Sequence, residues 1–223
     1  MYRKQQNSIM ASFKDWTQTK LKDTFGLVKA TTCKDLDEWM AAGEIPAELT
    51  EREAYEMERI RARLENNADV WNEEELKMYF IAQLLDLVSF DGENYKLFYE
   101  RKLTAERNGI KLTGDVDAMI ASGNYDDPRQ PYFCLHEYKQ EKGKKEADPR
   151  GQLLSEMMAA QALNDSEDTV YGCYMLGRFW FFATLIGGTF CFSGGYVADT
   201  KKDIPRIFNI LRRLKSYIEA KVG

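Results

Sequence analysis

The sequence predicts an α/β or α+β fold, a mixed central β-sheet flanked by helices. Three observations carry this prediction. Segments 95–107 and 110–121 read as strands joined by Asn108-Gly109, a strong short-range hairpin signal. Residues 72–89 repeat Leu76, Phe80, Leu84 and Leu87 or Val88 at three- and four-residue steps, an amphipathic helix. A helical stretch over 151–163 lies between strand-like segments 132–139 and 170–176, and such a crossover lets those two strands run parallel.

The remaining elements follow in order. A short helix is expected over Lys34–Ala42, with Thr31 or Thr32 near its N-cap and Gly43 past its end. Thr50 with Glu53 three residues on forms a capping box. The helix it opens carries Tyr55, Met57, Ile60 and Leu64 among many charges, so its thin apolar stripe places it on the surface. Phe90–Asn94 is a turn around Asp91-Gly92, and 123–131 is a loop. Arg178–Ile186, Gly187-Gly188 and Thr189–Phe192 read as a second hairpin. A C-terminal helix over 201–222 turns Ile204, Ile207, Phe208, Ile210, Leu211, Leu214 and Ile218 inward. Residues 1–70 are read as a helical N-terminal extension and 71–223 as the principal domain.

Composition bounds the function classes. Of 223 residues, 44% are apolar and 13% aromatic, enough for a sizeable core and against disorder. No stretch approaches the roughly 18 uninterrupted apolar residues of a membrane span. The opening MYRKQQNSIM lacks the apolar centre of a secretory signal. Cys33, Cys134, Cys173 and Cys191 lie far apart without a CxxC pair. That argues against a zinc site or disulfide framework and for a reducing, cytoplasmic setting. One histidine, His136, excludes chemistry needing two, and its strand position makes it a packed residue. Net charge is −5, against nonspecific coating of nucleic acid. The charge is uneven: residues 72–135 hold seven basic and twelve acidic side chains, residues 136–223 thirteen and eleven.

The chemistry concentrates in Gly114-Asp115-Val116-Asp117 and Glu137-Tyr138-Lys139. Alternate strand residues share a face, so Glu137 and Lys139 point one way with Leu135 and Phe133, and Cys134, His136 and Tyr138 the other. If the two strands are neighbours, carboxylates and a lysine converge at one end of the sheet. Converging carboxylates suit a hard cation such as Mg²⁺. Acid-x-Lys triplets recur here, as in Glu75-Leu76-Lys77 and Asp199-Thr200-Lys201, so context is what distinguishes this one.

That context resembles the PD-(D/E)xK nuclease superfamily, the restriction-endonuclease-like fold, over roughly residues 70–200. Asp117, with Gly114 three residues before it, matches the family's first acid. Glu137 and Lys139 match its (Asp/Glu)-x-Lys, and Gln152 in Gly151-Gln152-Leu153-Leu154 matches a glutamine on the following helix. Many members carry a Glu on the preceding helix, and Glu73 is the choice here over Glu75. Phe80-Ile81-Ala82-Gln83-Leu84-Leu85 is similar to the N-terminal nuclease domain of type I restriction motor subunits. The family's Pro is absent, with Val116 before Asp117, and Asp115 is an additional acid.

The resemblance implies a Mg²⁺- or Mn²⁺-dependent deoxyribonuclease. Asp117 and Glu137 would ligate the metal, Lys139 would orient the attacking water, Gln152 would position water or phosphate, and Glu73 would add an acid. Lys142, Lys144, Lys145 and Arg150 follow the site directly and are the candidate contacts to DNA phosphates. RNA is the other candidate substrate, and a homodimer would suit cutting of both strands. The competing reading is a catalytically weak nuclease-fold module that binds nucleic acid or a protein partner, docking through the N-terminal helices.

Overall fold

The computed structural model describes residues 9–123, 125–142 and 148–222. In chain order these form β1 (Ile9–Ser12), α1 (Gln18–Phe25), β2 (Val28–Lys29), α2 (Lys34–Met40), α3 (Glu51–Asn67) and α4 (Glu73–Leu76). A π-helical turn, Lys77–Ile81, runs directly into α5 (Ala82–Val88). Then come β3 (Tyr95–Arg107), β4 (Ile110–Ser122), β5 (Arg129–Lys139), α6 (Pro149–Asn164) and β6 (Val170–Leu176). The chain ends with β7 (Phe179–Ile186), β8 (Thr189–Phe192), β9 (Tyr196–Val197) and α7 (Asp203–Val222).

The nine strands make one mixed sheet, in the α/β class expected. Its spine runs β1-β4-β5-β6-β7-β8-β2, with β3 paired to β4 and β9 to β7. The β3–β4 hairpin closes through Asn108 and Gly109 at φ 53° and 75°. Two consecutive left-handed residues are what a tight hairpin turn demands, and Asn-Gly supplies them at least cost. The strands β5 and β6 are parallel, and α6 makes the crossover between them.

Strand β4 serves two neighbours along one edge. Ile110–Thr113 pair in parallel with β1, and Ala118–Ser122 pair antiparallel with β5. Residues 114–117 fall between the two partners. Gly114 is glycine for a local reason, since a Cβ there would sit 2.7 Å from the Phe13 ring.

Helices cover both faces. On one face α2, α3, α5 and α7 close a core that includes Trp39, Leu64, Phe80, Trp180 and Leu211. On the other, α1 and α6 pack Leu21, Leu153 and Met157 against Leu112 and Leu135. The thin stripe of α3 does reach the core, with Met57, Ile60 and Leu64 buried while the opposite side stays in water. Its capping box is formed, Glu53 N–H donating to Thr50 Oγ1 and Thr50 N–H to Glu53 Oε2. Residues 9–70 therefore contribute two strands to the sheet and side chains to both cores.

Four details differ from the sequence expectations. The helix over 72–89 is interrupted by the π turn at Lys77–Ile81. Phe133 packs in the core with Cys134 and Tyr138 and not beside Leu135, because β5 is irregularly registered against β4 near Tyr132. The N-cap of α2 is Cys33 and not Thr31 or Thr32. Finally, Cys33 is disulfide-bonded to Cys191, which corrects the expectation of no disulfide. Pairing of β2 with β8 brings their Cα atoms to 6.1 Å although 158 positions separate them in sequence, and spacing alone hides that. Cys134 and Cys173 are free and buried, packed as small hydrophobes. Among the described residues no helix is long and apolar enough to cross a membrane.

Candidate active site

Asp117 stands one residue before the point where β4 begins to pair with β5. The ladder reaches Ala118↔His136, and one further step sets Asp117 across from Glu137. There the carboxylate takes over a backbone contact: Asp117 Oδ2 accepts from the Tyr138 amide at 2.7 Å. Its other oxygen, Oδ1, accepts from Lys77 Nζ at 3.0 Å.

Glu137 is fully buried. Its Oε2 accepts from Gln152 Nε2 at 2.7 Å, and its Oε1 lies 2.5 Å from Lys139 Nζ. Burial, and then the charge of Asp117, push the Glu137 carboxyl up to about 8. Burial pulls the Lys139 ammonium the other way, but Glu137, Glu73 and Asp117 outweigh it and raise its pKa. Lys139 also reaches Glu73 Oε2 at 3.7 Å. All five residues singled out from the sequence, Glu73, Asp117, Glu137, Lys139 and Gln152, thus belong to one connected polar cluster. Asp115, the additional acid of the motif, is exposed.

Three further members escaped the sequence reading. Lys77 bonds Asp117, lies 2.9 Å from Glu100 Oε1 and 3.3 Å from Glu73 Oε1, and touches Glu74 Oε1 at 3.5 Å. Burial opposes its charge, and Asp117, Glu100 and Glu73 more than restore it, so its pKa is raised. Glu100 sits in the middle of β3 with φ 49°, a left-handed conformation unusual for glutamate. Such local strain persists only where surrounding structure imposes it. The pairs Tyr99↔Ala118 and Arg101↔Val116 bracket it, which places Glu100 across from Asp117. Glu156, fully buried one turn after Gln152, accepts from Gln152 Nε2 at 3.2 Å. Burial, then the charge of Glu137, raise its pKa well above the usual carboxylate range.

Signals for all three were present. Lys77 is four residues after Glu73 and Glu156 four after Gln152, the spacing of neighbours on one helix face. Counting back from Asn108-Gly109 finds Glu100 opposite Asp117.

Gly151 sets the height of this helix. A Cβ at 151 would come within 2.3 Å of the Trp16 carbonyl oxygen and 2.5 Å of Thr17 Cα, both backbone atoms. Gly151→Ala must therefore push α6 outward and carry Gln152 away from Glu137. Thermal unfolding should show a loss of about 1–3 kcal/mol, the usual cost of overpacking. An unchanged midpoint would mean the contact is soft.

His136 faces away from the cluster. It is buried, its Nδ1 is 2.9 Å from the Tyr138 hydroxyl, and burial lowers its pKa to about 3, so it is a neutral packed residue. Of the basic residues after the site, Lys142 is exposed and paired with Asp69 at 3.0 Å. Arg150 donates to the Tyr174 hydroxyl at 2.7 Å and lies over the Tyr174, Phe181 and Phe192 rings. Lys144 and Lys145 lie outside the described residues. Trp180 and Phe182 are core residues, and Arg178 pairs with Glu141 and Asp199.

The donor set fits a hard cation by its chemistry. It is oxygen-rich, and two fully buried oxygens beside Glu137, Gln152 Oε1 and Glu156 Oε2, have no hydrogen-bond partner. Such atoms are costly unless something supplies positive charge or a donor. Among the described residues no three His, Cys, Asp or Glu side chains form a ready-made cation cage, and the Lys77 and Lys139 ammoniums lie among the acids. Neither a protein-family model nor a curated protein matches the chain.

Proposed function

We propose that this protein is a metal-dependent nuclease of the restriction-endonuclease-like type, hydrolysing phosphodiester bonds of DNA. One observation carries the proposal. Asp117, Glu137, Lys139, Gln152 and Glu73, drawn from β4, β5, α6 and α4, share one polar cluster where the middle of β4 meets the end of β5. The residues that carry the family resemblance are far apart in sequence, and a surface salt bridge would not need all of them.

Asp117 and Glu137 would hold a magnesium or manganese ion. That ion supplies charge neutralisation on the phosphodiester and a more acidic bound water. The protein supplies the rest. Lys139 keeps its proton at neutral pH, because the surrounding carboxylates raise its pKa. Its part is therefore to orient the water and balance negative charge on phosphorus, not to accept a proton. Gln152 fixes Glu137 by donating to Oε2, and Glu73 holds Lys139 from the opposite side. Water would add to phosphorus and the ester P–O bond break, one water proton passing to solvent and the leaving oxygen taking one from it, which gives a phosphate and a hydroxyl terminus.

The competing reading, a binding module with weak or no catalysis, draws on the Lys77 contact to Asp117 Oδ1. A cleavage assay separates the two. Supercoiled, linear and single-stranded DNA are incubated with Mg²⁺ or Mn²⁺, with Asp117→Asn as matched control and RNA in parallel. Metal-dependent cutting of DNA that the variant loses supports the proposal. Cutting of RNA alone moves the substrate class. No cutting of either, with nucleic acid still bound, establishes the module and overturns the enzyme.

A further inference from the structure

Lys77 is a chemically odd neighbour for a cation site. Its Nζ has four carboxylate oxygens around it: Glu100 Oε1 at 2.9 Å, Asp117 Oδ1 at 3.0 Å, Glu73 Oε1 at 3.3 Å and Glu74 Oε1 at 3.5 Å. An ammonium has three protons to donate. More oxygens than protons is the surrounding of an ion, not of an ordinary hydrogen-bonded lysine. The side chain is only 14% exposed, so water does little of the neutralising.

The surroundings are built for it. Lys77 opens the π turn, a rare wider coil that recurs at functional sites. Glu73 and Glu74 lie one turn back on the same face. Glu100 reaches the ammonium from a strand residue held in left-handed conformation. Two independent distortions of regular backbone thus meet at one nitrogen.

We infer that the Lys77 ammonium takes the place of a second divalent cation, so that the acidic site accepts a single metal ion. This rests on the metal-site reading proposed above. Two-metal phosphodiesterases set their ions about 3.5–4 Å apart, bridged by a shared carboxylate. Asp117 would be the shared carboxylate here, and its Oδ1 is given to Lys77. The side still open is that of Glu137, where Gln152 Oε1 and Glu156 Oε2 lack partners.

The test counts Mn²⁺ ions on the full chain without nucleic acid, by calorimetry and electron paramagnetic resonance. The wild type is expected to bind one ion, lost in Asp117→Asn. Lys77→Gln, and Lys77→Met as a second variant that keeps the apolar stem, are expected to bind two, with spin coupling between them. Two ions on the wild type overturn the inference, as does a single ion on a folded Lys77 variant. The nuclease reading is tested separately by cleavage. One ion bound without cutting keeps the role of Lys77 and removes the enzyme, and cutting with two ions does the reverse. No bound Mn²⁺ on any form overturns the inference, and cleavage alone then decides the nuclease reading.

Discussion

Lys139→Ala is expected to lower metal-dependent cleavage by about 10²–10³-fold in kcat, the usual loss when one pre-positioned donor is removed from a reacting centre. The lysine is held at both ends of its reach, 2.5 Å from Glu137 Oε1 and 3.7 Å from Glu73 Oε2. Alanine removes the ammonium that, among the described residues, pairs with Glu137. The fold should survive, because Glu137 then keeps a proton to still higher pH, and burial favours the neutral acid. Single-turnover cleavage under saturating metal, beside a thermal melt, checks both halves. A wild-type rate in a folded Lys139→Ala protein would remove Lys139 from the chemistry.

Trp39→Ala should cost the most stability of any single truncation considered. The indole is fully buried, edge-on to Tyr171 and Phe182 at centroid distances of 4.9 and 5.0 Å. Its Nε1 donates to the Ile210 carbonyl at 2.8 Å. Deleting a large buried aromatic costs about 3–5 kcal/mol, and a chain of this size loses about 2–4 °C per kcal/mol. Together these give a midpoint lower by roughly 6–20 °C. Trp39 belongs to the segment read from sequence as an N-terminal extension, so the same measurement tests how firmly residues 9–70 are joined to the rest. A shift under about 3 °C would show that they add little.

The legible part of the fold was the part governed by local rules. Strand β3, strand β6 and the Asn108-Gly109 turn were read where they occur, because alternation and turn chemistry act over a few residues. The capping box at Thr50 and the inward stripe of α7 were read for the same reason. Strands β1 and β2 were not read. Four and two residues long, they carry too little pattern and exist because β4 and β8 offer free edges. The π turn and the left-handed Glu100 also left no mark, since propensity favours neither and tertiary contacts impose both.

For the candidate site, strand alternation set Glu137 and Lys139 on one face, and the resemblance to the PD-(D/E)xK pattern nominated Asp117, Gln152 and Glu73. What only the tertiary structure decided was who meets whom. It brought Lys77 to Asp117 and Gln152 to Glu137, and joined Cys33 to Cys191. These contacts depend on the strand order and on how far each helix slides along the sheet. Long-range packing sets both, through contacts such as the backbone of Trp16 and Thr17 against Gly151. Local sequence periodicity carries no information about that distance.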